Sequence, residues 1–179
     1  MADRINVRLP FLFKKLTGES DTFNDCILRF RSGVEYPFVR IVLAKQSRYF
    51  ENYFKENAQQ QLPVIVNMKE CIDPNAMKQL LDLLYTNYIK LNVYNITPLL
   101  KIARQYEFTV ICRFLTQFYL EASNDETLLH FVKEFIKNDL HDDALLLAPK
   151  IASHLYRIER NDPDEKITCT EIYQAVTPV

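Results

Sequence analysis

The hydrophobic positions of this chain follow a helical period over most of its length. From Asp73 onward the pattern is helical, and the first helix has Asp73 as its N-cap and Pro74 at the first helical position. Its apolar residues recur every three or four positions and so share one face: Met77, Leu80, Leu81 and Leu84. Thr97 and Pro98 repeat this start signal and predict a second helix.

A third helix is predicted where apolar residues form a broad stripe between Val110 and Tyr119. The stripe is wide enough to be buried from two sides, which favours a place at the centre of a helical layer. Capping boxes at residues 123–126 and 168–171 predict two more helix starts, and the first of these helices should end near Asn138.

Residues 141–159 are also helical in pattern, with one interruption. Pro149 has no N–H to donate to the preceding turn, so the segment should break or kink there. The chain is therefore expected to divide near residue 122 into a mixed strand and helix domain and an all-helical extension.

Residues 38–50 contain two helix starts within thirteen positions. The apolar run at residues 41–44 is too short for an isolated helix, but Ser47 can accept a backbone N–H and open a second helix at once. Phe50, Tyr53 and Phe54 give that second helix one aromatic face. A compact helical hairpin is predicted.

The predicted strands are few and lie early in the chain. Short runs of alternating or β-branched residues indicate four of them: residues 5–9, 26–30, 36–39 and 64–68. The second and third flank a polar turn and predict a hairpin, in which Pro37 favours an edge strand. Residues 11–16 are typical of one or two helical turns.

Composition excludes several classes of function. The 48% apolar fraction is that of an ordinary globular protein, and the chain has only two glycines, whereas phosphate-cradling loops need several. Its formal net charge is −1, so no global field would draw it onto nucleic acid or an anionic membrane. A local basic cluster is interpreted as a solvated rim: Arg29, Arg31, Arg40, Lys45 and Arg48.

The chain is expected to act inside the cell, in the cytoplasm or the nucleus. The apolar run at residues 9–13 is interrupted by Pro10 and is shorter than a signal-peptide core of about 7–15 residues. Nothing approaches the roughly 18 apolar residues of a membrane span. The four cysteines are far apart and form no C-x-x-C motif, so buried free thiols are expected: Cys26, Cys71, Cys112 and Cys169.

No motif for catalysis or metal binding is found. His130 and Glu134 are spaced by one helical turn, and residues 141–143 place a histidine beside two acids, but a metal site needs three or four converging ligands. Patterns for nucleophilic or zinc hydrolysis are absent. We therefore expect no catalytic residues, no metal and no cofactor; the competing hypothesis is an enzyme with an unrecognised pocket.

Four motifs in order and spacing together resemble a BTB/POZ domain: residues 23–28, 38–50, 80–86 and 99–103. The resemblance covers about residues 5–120, and the helices after Ser123 look like the first part of the BACK extension that follows many such domains. It implies an α+β fold, in which a helical cluster is flanked by a short β-sheet and followed by an all-α extension. Residues 1–122 would be the BTB/POZ domain and residues 123–179 the extension, with the question of a further domain left open.

The same resemblance implies a non-catalytic protein–protein interaction module that is typically homodimeric. Such modules often recruit a cullin scaffold of a ubiquitin ligase, or a transcriptional corepressor, and they bring a protein substrate to it. Direct contact with nucleic acid or a membrane is not implied.

The resemblance also implies a dimer interface. In long-form relatives the first strand crosses to the partner subunit and the next helix packs on its symmetry mate, which assigns this role to residues 1–16. The family's usual His-Lys pair falls on Val39 and Arg40, so the positive charge is kept and the imidazole is lost. The implied interface residues are Ile5, Val7, Leu9, Phe11, Phe13, Leu16, Asp25 and Arg40. A frayed N-terminal tail is the alternative for the first ten residues.

Cullin-binding members carry a large apolar residue, a spacer and an acid after the second helix of the hairpin. Those positions fall on Ala58, Gln59 and Gln60, which supply neither the anchor nor the acid, while residues 54–56 have the right chemistry one turn earlier. The implied cullin-facing set is Tyr53, Phe54, Glu56, Ala58 and Gln60. A corepressor-type or stand-alone scaffold that does not bind cullin is the alternative hypothesis.

Overall fold

The computed structural model describes residues 5–8, 24–68, 73–121 and 125–150. The chain divides into two compact units, Met1–Cys112 and Arg113–Val179, and the division falls inside a helix. The domain boundary expected near residue 122 stays a prediction.

A three-stranded mixed sheet is built by β2 (Cys26–Phe30), β3 (Glu35–Phe38) and β4 (Val64–Met68). Its order is β3-β2-β4, with β2 antiparallel to β3 and parallel to β4. The predicted hairpin is confirmed, and Pro37 lies in an edge strand, where a residue that cannot donate to the ladder is tolerated.

A second, two-stranded sheet joins β1 (Ile5–Arg8) to β5 (Tyr88–Leu91). The pair is antiparallel, with Ile5 opposite Leu91 and Val7 opposite Ile89. The expectation that strands occur only early in the chain is wrong, because β5 interrupts the predicted helical region. Helix α3 (Pro74–Thr86) ends at Asn87, whose left-handed φ of 54° turns the chain out of the helix and into β5.

The helical hairpin predicted at residues 38–50 is present as α1 (Arg40–Gln46) and α2 (Arg48–Glu56). Ser47 separates the two helices and accepts the Phe50 N–H at 3.1 Å, which confirms it as the N-cap of α2. Its hydroxyl also donates to the Tyr106 carbonyl at 2.5 Å, so the hairpin is tied to the end of a later helix.

Helix α3 starts as predicted, and α4 (Ile96–Gln105) does not. Asp73 caps α3 by accepting the backbone N–H groups of Asn75 and Ala76. Helix α4 begins before Thr97, because Asn92 accepts the N–H groups of Tyr94 and Asn95 and starts the turn there. Thr97 lies inside the helix with its side chain buried.

An aromatic cluster around α2 forms part of the core of the first unit. Phe50 is fully buried and lies against the rings of Tyr106 and Phe108, at centroid distances of 5.7 and 5.8 Å. Such pairs add roughly 0.5–1.5 kcal/mol each beyond the burial of their area. The predicted aromatic face of α2 is therefore confirmed as a packing surface at Phe50.

Helices α5 (Thr109–Leu120) and α6 (Asp125–Lys137) are followed by a helical stretch at residues 141–150. Ile111, Leu115 and Tyr119 are buried along α5, whereas Val110 is 50% exposed, so the stripe is narrower than the sequence indicated.

In the second unit the Tyr119 ring packs on Phe131 and Phe135 of α6, and its hydroxyl donates to the buried Asp143 carboxylate at 2.5 Å. Helix α6 ends where predicted, just before Asn138. Pro149 lies within the helical stretch. The continuation after residue 150 and the second capping box fall outside the described residues, as do residues 123 and 124 of the first box.

Candidate interaction surfaces

Asp25 and Arg40, to which the family resemblance gave an interface role, are brought together by the fold. Asp25 immediately precedes β2 and Arg40 opens α1. The carboxylate accepts the Arg40 backbone N–H at 2.7 Å through Oδ1 and the Arg40 Nε–H at 2.8 Å through Oδ2. Their side chains are 32% and 29% exposed, so the ion pair lies at the protein surface and is only partly shielded.

The ion pair lies next to a thiol and a phenol that both resist ionisation. Burial, and then the negative charge of Asp25, raise the pKa of the Cys26 thiol to about 12, and the thiol donates to the Phe38 carbonyl at 3.3 Å. Burial likewise raises the pKa of Tyr85 to about 12, although a backbone hydrogen bond with Val39 opposes it. This cluster is polar and structural, and it has no reactive thiolate at neutral pH.

Ile41 follows Arg40 on α1, and its side chain is 58% exposed. The next two residues, Val42 and Leu43, are buried. An exposed isoleucine beside a half-buried ion pair is a feature that the sequence interpretation missed. A run of four apolar residues gives no periodicity from which the outward-facing one could have been identified.

The remaining residues of the predicted dimer interface fall between positions 5 and 16 of the sequence. Ile5 and Val7 pair through their backbones with β5 of the same chain. Leu9, Phe11, Phe13 and Leu16 lie outside the described residues. Exchange of β1 between two subunits therefore stays a prediction.

Two of the five predicted cullin-facing residues, Tyr53 and Phe54, make contacts within the fold. The Tyr53 hydroxyl donates to the Ile65 carbonyl of β4 at 3.2 Å, and the Phe54 ring stacks on Phe50 at 6.2 Å. Both side chains are half-buried. They can support a contact surface, but they are not free to rearrange around a partner.

The other three, Glu56, Ala58 and Gln60, are exposed. Glu56 is the last residue of α2, and Gln60 donates to Asn57 in the turn that follows, at 2.7 Å. Leu62, further along the same loop, is 56% exposed. The loop after α2 thus presents polar groups and a single large apolar side chain within its described residues 57–63.

Two of the five members of the predicted basic cluster, Arg29 and Arg40, form ion pairs with acids. Besides the Asp25 pair, Arg29 contacts Glu35 across the β2–β3 hairpin at 2.5 Å. On the neighbouring helix, Lys55, which is not a member of the cluster, donates to Glu51 at 2.6 Å. This hydrogen bond, followed by the charge of Lys55, lowers the pKa of the exposed Glu51 carboxyl. The interpretation as a solvated rim agrees with these pairings.

The described residues contain no group of three or more His, Cys, Asp or Glu side chains placed to hold a metal ion. His141 lies 3.9 Å from Asp139, an exposed contact between two polar side chains. Across the same described ranges, none of the helices combines the length and the apolar character needed to cross a membrane.

Comparison with known proteins relates this geometry to one family. The family model of the BTB/POZ domain, which describes the sequences of that family, matches residues 13–123 of this chain. Kelch-like protein 40 of Xenopus tropicalis is 31% identical over 101 residues, which are 54% of this chain and 16% of that protein. Kelch-like protein 40b of Danio rerio is 31% identical over 110 residues, which are 59% of this chain and 17% of that protein. The chain thus spans less than a fifth of the length of these curated relatives.

Two solved structures are also similar. The BTB domain of human gigaxonin shares 23% identity at a TM-score of 0.47, over 54% of this chain and 77% of that one. The BTB domain of zebrafish PATZ1 shares 24% identity at a TM-score of 0.48, over 56% and 78%.

Proposed function

Because this chain belongs to the BTB/POZ domain family, we propose that it is a non-catalytic interaction module that forms homodimers and acts as an adaptor for a cullin-type ubiquitin ligase. The family match over residues 13–123 is the observation that carries the proposal. Members of the family are typically non-catalytic, and the α+β fold described above belongs to it. Such an adaptor would work in the cytoplasm or the nucleus.

Dimerisation is supported by the surface around α1. Ile41 is 58% exposed next to the Asp25–Arg40 pair, and burying that exposed part of the side chain contributes roughly 1–2 kcal/mol to an association. A β1 strand at the chain's start can also pair with β5 of a second copy, since an edge strand accepts either partner.

Light scattering on two single variants tests the dimer. Ile41→Asp introduces a charge at an exposed apolar position and should convert the dimer to a monomer without changing the circular dichroism spectrum. Leu146→Asp is the matched control, because this leucine is also an exposed helical residue, 48% accessible, and lies in the other unit. Deleting residues 1–16 separately tests strand exchange: a dimer that persists removes β1 as its cause.

Cullin recruitment is proposed to use α2 and the loop after it. Tyr53 and Phe54 give this surface a fixed apolar base, and Glu56, Ala58 and Gln60 are exposed around it. The Ala58 side chain is a single methyl group, too small to serve as an anchor. Binding should therefore be weaker by roughly 1–3 kcal/mol, or about ten- to a hundredfold, than in an adaptor with a large apolar residue there.

A pull-down with the N-terminal region of a cullin tests this step. The wild-type chain should bind weakly, and the double variant Ala58→Met/Gln60→Glu should bind about ten- to a hundredfold more tightly. Glu56→Ala should weaken the wild-type complex. If both the wild type and the double variant fail to bind, the adaptor role is wrong.

The second candidate is a corepressor-type or stand-alone scaffold that dimerises without binding cullin. The exposed Ala58 and Gln60 favour it, because neither an apolar anchor nor an acid is present at those positions. Dimers that capture other proteins from lysate but never cullin would support this candidate over the first.

A further inference from the structure

The tip of the β2–β3 hairpin presents a serine hydroxyl to solvent. Residues 31–35 are all exposed, and Ser32 lies at the third position of a turn closed by the Gly33 N–H donating to the Phe30 carbonyl at 2.9 Å. Gly33 has a left-handed φ of 84°, and a Cβ placed there would meet no atom within 4 Å. The space around the tip is therefore open. Ser32 has no side-chain hydrogen bond within the described part of the chain.

Basic residues precede this hydroxyl at two informative positions. Arg29 is three residues before Ser32 and Arg31 is one before it. Both side chains are exposed, and the Arg29 side chain is held on the strand by Glu35 at 2.5 Å. Many serine/threonine kinases recognise such arginines through acidic pockets, where charge-assisted hydrogen bonds supply binding energy.

We propose that Ser32 is a phosphorylation site for a basophilic serine/threonine kinase that selects arginine three residues before the acceptor. In the transfer, Ser32 Oγ forms a bond to the γ-phosphorus of ATP as the bond to the bridging oxygen of ADP breaks. ADP leaves, and the hydroxyl proton passes to the catalytic aspartate of the kinase. The product is a phosphoserine at an exposed hairpin tip.

Access to the site needs only the tip to open. The turn is closed by two backbone hydrogen bonds, from Gly33 N to Phe30 O and from Phe30 N to Val34 O, both 2.9 Å. Hairpin tips with exposed backbone bonds lie at the low-stability end of a fold and can open without global unfolding. Phe30 below the tip is buried, so opening past it is resisted.

Phosphorylation would reverse the charge of the tip. Arg29, Arg31 and Glu35 now give it two positive groups and one negative group. A phosphoserine adds about −1.5 to −2 charges at neutral pH, and the arginines can hold it while competing with Glu35. The modification thus alters what this end of the sheet can bind.

Thr116 provides a matched control inside the same chain. Arg113 is three residues before it, so the local sequence offers the same basic determinant. Thr116 is half-buried within helix α5 and has no turn that could open on its own. If structure decides access, a kinase should modify Ser32 and spare Thr116.

The test incubates the full chain with a calmodulin-dependent serine/threonine kinase and Mg-ATP, and locates phosphate by fragmentation mass spectrometry. The modified residue must be identified, because Thr17 and Ser153 also have a basic residue, a lysine, three positions before them and could be phosphorylated as well. Ser32 should be modified at least about tenfold faster than Thr116, because opening a helix lowers the reactive population further. Arg29→Gln should slow Ser32 modification by about tenfold or more, since it removes one charged contact.

Synthetic peptides of residues 27–36 and 111–120 calibrate the sequence preference of the kinase. The proposal is overturned if the first peptide is phosphorylated while Ser32 of the folded chain stays unmodified. It is also overturned if Ser32 and Thr116 of the folded chain react at equal rates, or if Arg29→Gln leaves the rate unchanged. Ser32→Ala should remove the phosphopeptide and nothing else.

Discussion

The carboxylate of Asp25 caps helix α1 from fifteen residues away by accepting both the backbone N–H and the Nε–H of Arg40. The local N-cap residue of α1 is Val39, which has no side-chain acceptor. Asp25 therefore accepts a hydrogen bond from a backbone N–H at the start of α1 and also forms an ion pair with the Arg40 side chain. This contact joins the start of β2 to the start of α1.

Removing the Asp25 carboxylate should destabilise the first unit. Asp25→Ala should lower the free energy of unfolding by about 1–2 kcal/mol, because a cap is lost together with a half-exposed ion pair. Asp25→Asn keeps a neutral acceptor for the Arg40 N–H and should cost less than the alanine variant. Urea unfolding measures both, and an unchanged stability with an unchanged mass in solution would argue against a role for this pair.

Ser47 should matter more than an exposed cap of the same kind. Ser47→Ala removes the cap of α2 and leaves the Tyr106 carbonyl without its 2.5 Å donor in a buried site, so a loss of about 2–3 kcal/mol is expected. Asp73→Ala is the comparison, since Asp73 caps α3 at the surface and should cost only about 1 kcal/mol. Equal losses in thermal or urea unfolding would contradict the proposed importance of the Ser47–Tyr106 bond.

Thr97→Val should stabilise the protein. The Thr97 side chain is 3% exposed, and its Oγ1 has no hydrogen-bond partner among the described residues. Valine has nearly the same shape and removes the buried hydroxyl, a gain of about 1 kcal/mol. Thr86→Val is the control and should destabilise the protein, because Thr86 Oγ1 donates to the Asp82 carbonyl at 2.7 Å and the variant loses this hydrogen bond. A melting temperature that falls in both variants would show that Thr97 has a partner in solution.

The stability of the fold should fall at alkaline pH, in part through Cys26. The pKa of this thiol is raised from 9.0 to about 12 in the folded chain, so its contribution is complete below pH 9 and is lost as the pH rises toward 12. The unfolded chain releases the proton first and gains stability from doing so. Between pH 9 and 10.5, wild type should lose about 1.5 kcal/mol more than Cys26→Ala.

Comparing changes with pH removes the constant cost of the smaller side chain in Cys26→Ala. Tyr85, whose pKa is also raised, is present in both proteins, and its shift comes mainly from burial, with only a smaller part from the charge of Cys26. Parallel pH profiles in urea unfolding would show that the buried thiol does not titrate with folding.

Local chemistry made several of these elements predictable from the sequence. Ser47 and Asp73 were recognised as caps because a cap depends on one side chain and the N–H groups two or three residues ahead. The β2–β3 hairpin was recognised because its strands lie close together in the chain. The Asp25–Arg40 contact came from the family resemblance, which was the only source for a pairing of that kind.

The features that sequence reasoning missed depend on distant parts of the chain. Strand β5 pairs with β1, which lies about eighty residues earlier. Its alternation of buried Ile89 and Leu91 with exposed Tyr88 and Lys90 covers only four residues, too few to stand out within a helical pattern. The sequence predicted that α4 starts at Thr97, but the helix starts at Ile96. The turn before it is formed by Asn92, whose side chain accepts the N–H groups of Tyr94 and Asn95. The exposure of Ile41 depends on which face of α1 the sheet and helices leave uncovered.

The central claim is that this chain is a dimerising interaction module. Multi-angle light scattering of the full chain at micromolar concentration tests it most directly, with Ile41→Asp measured alongside. The account predicts twice the chain mass for the wild type and the single chain mass for the variant. A wild-type protein that stays monomeric throughout the concentration range would contradict it.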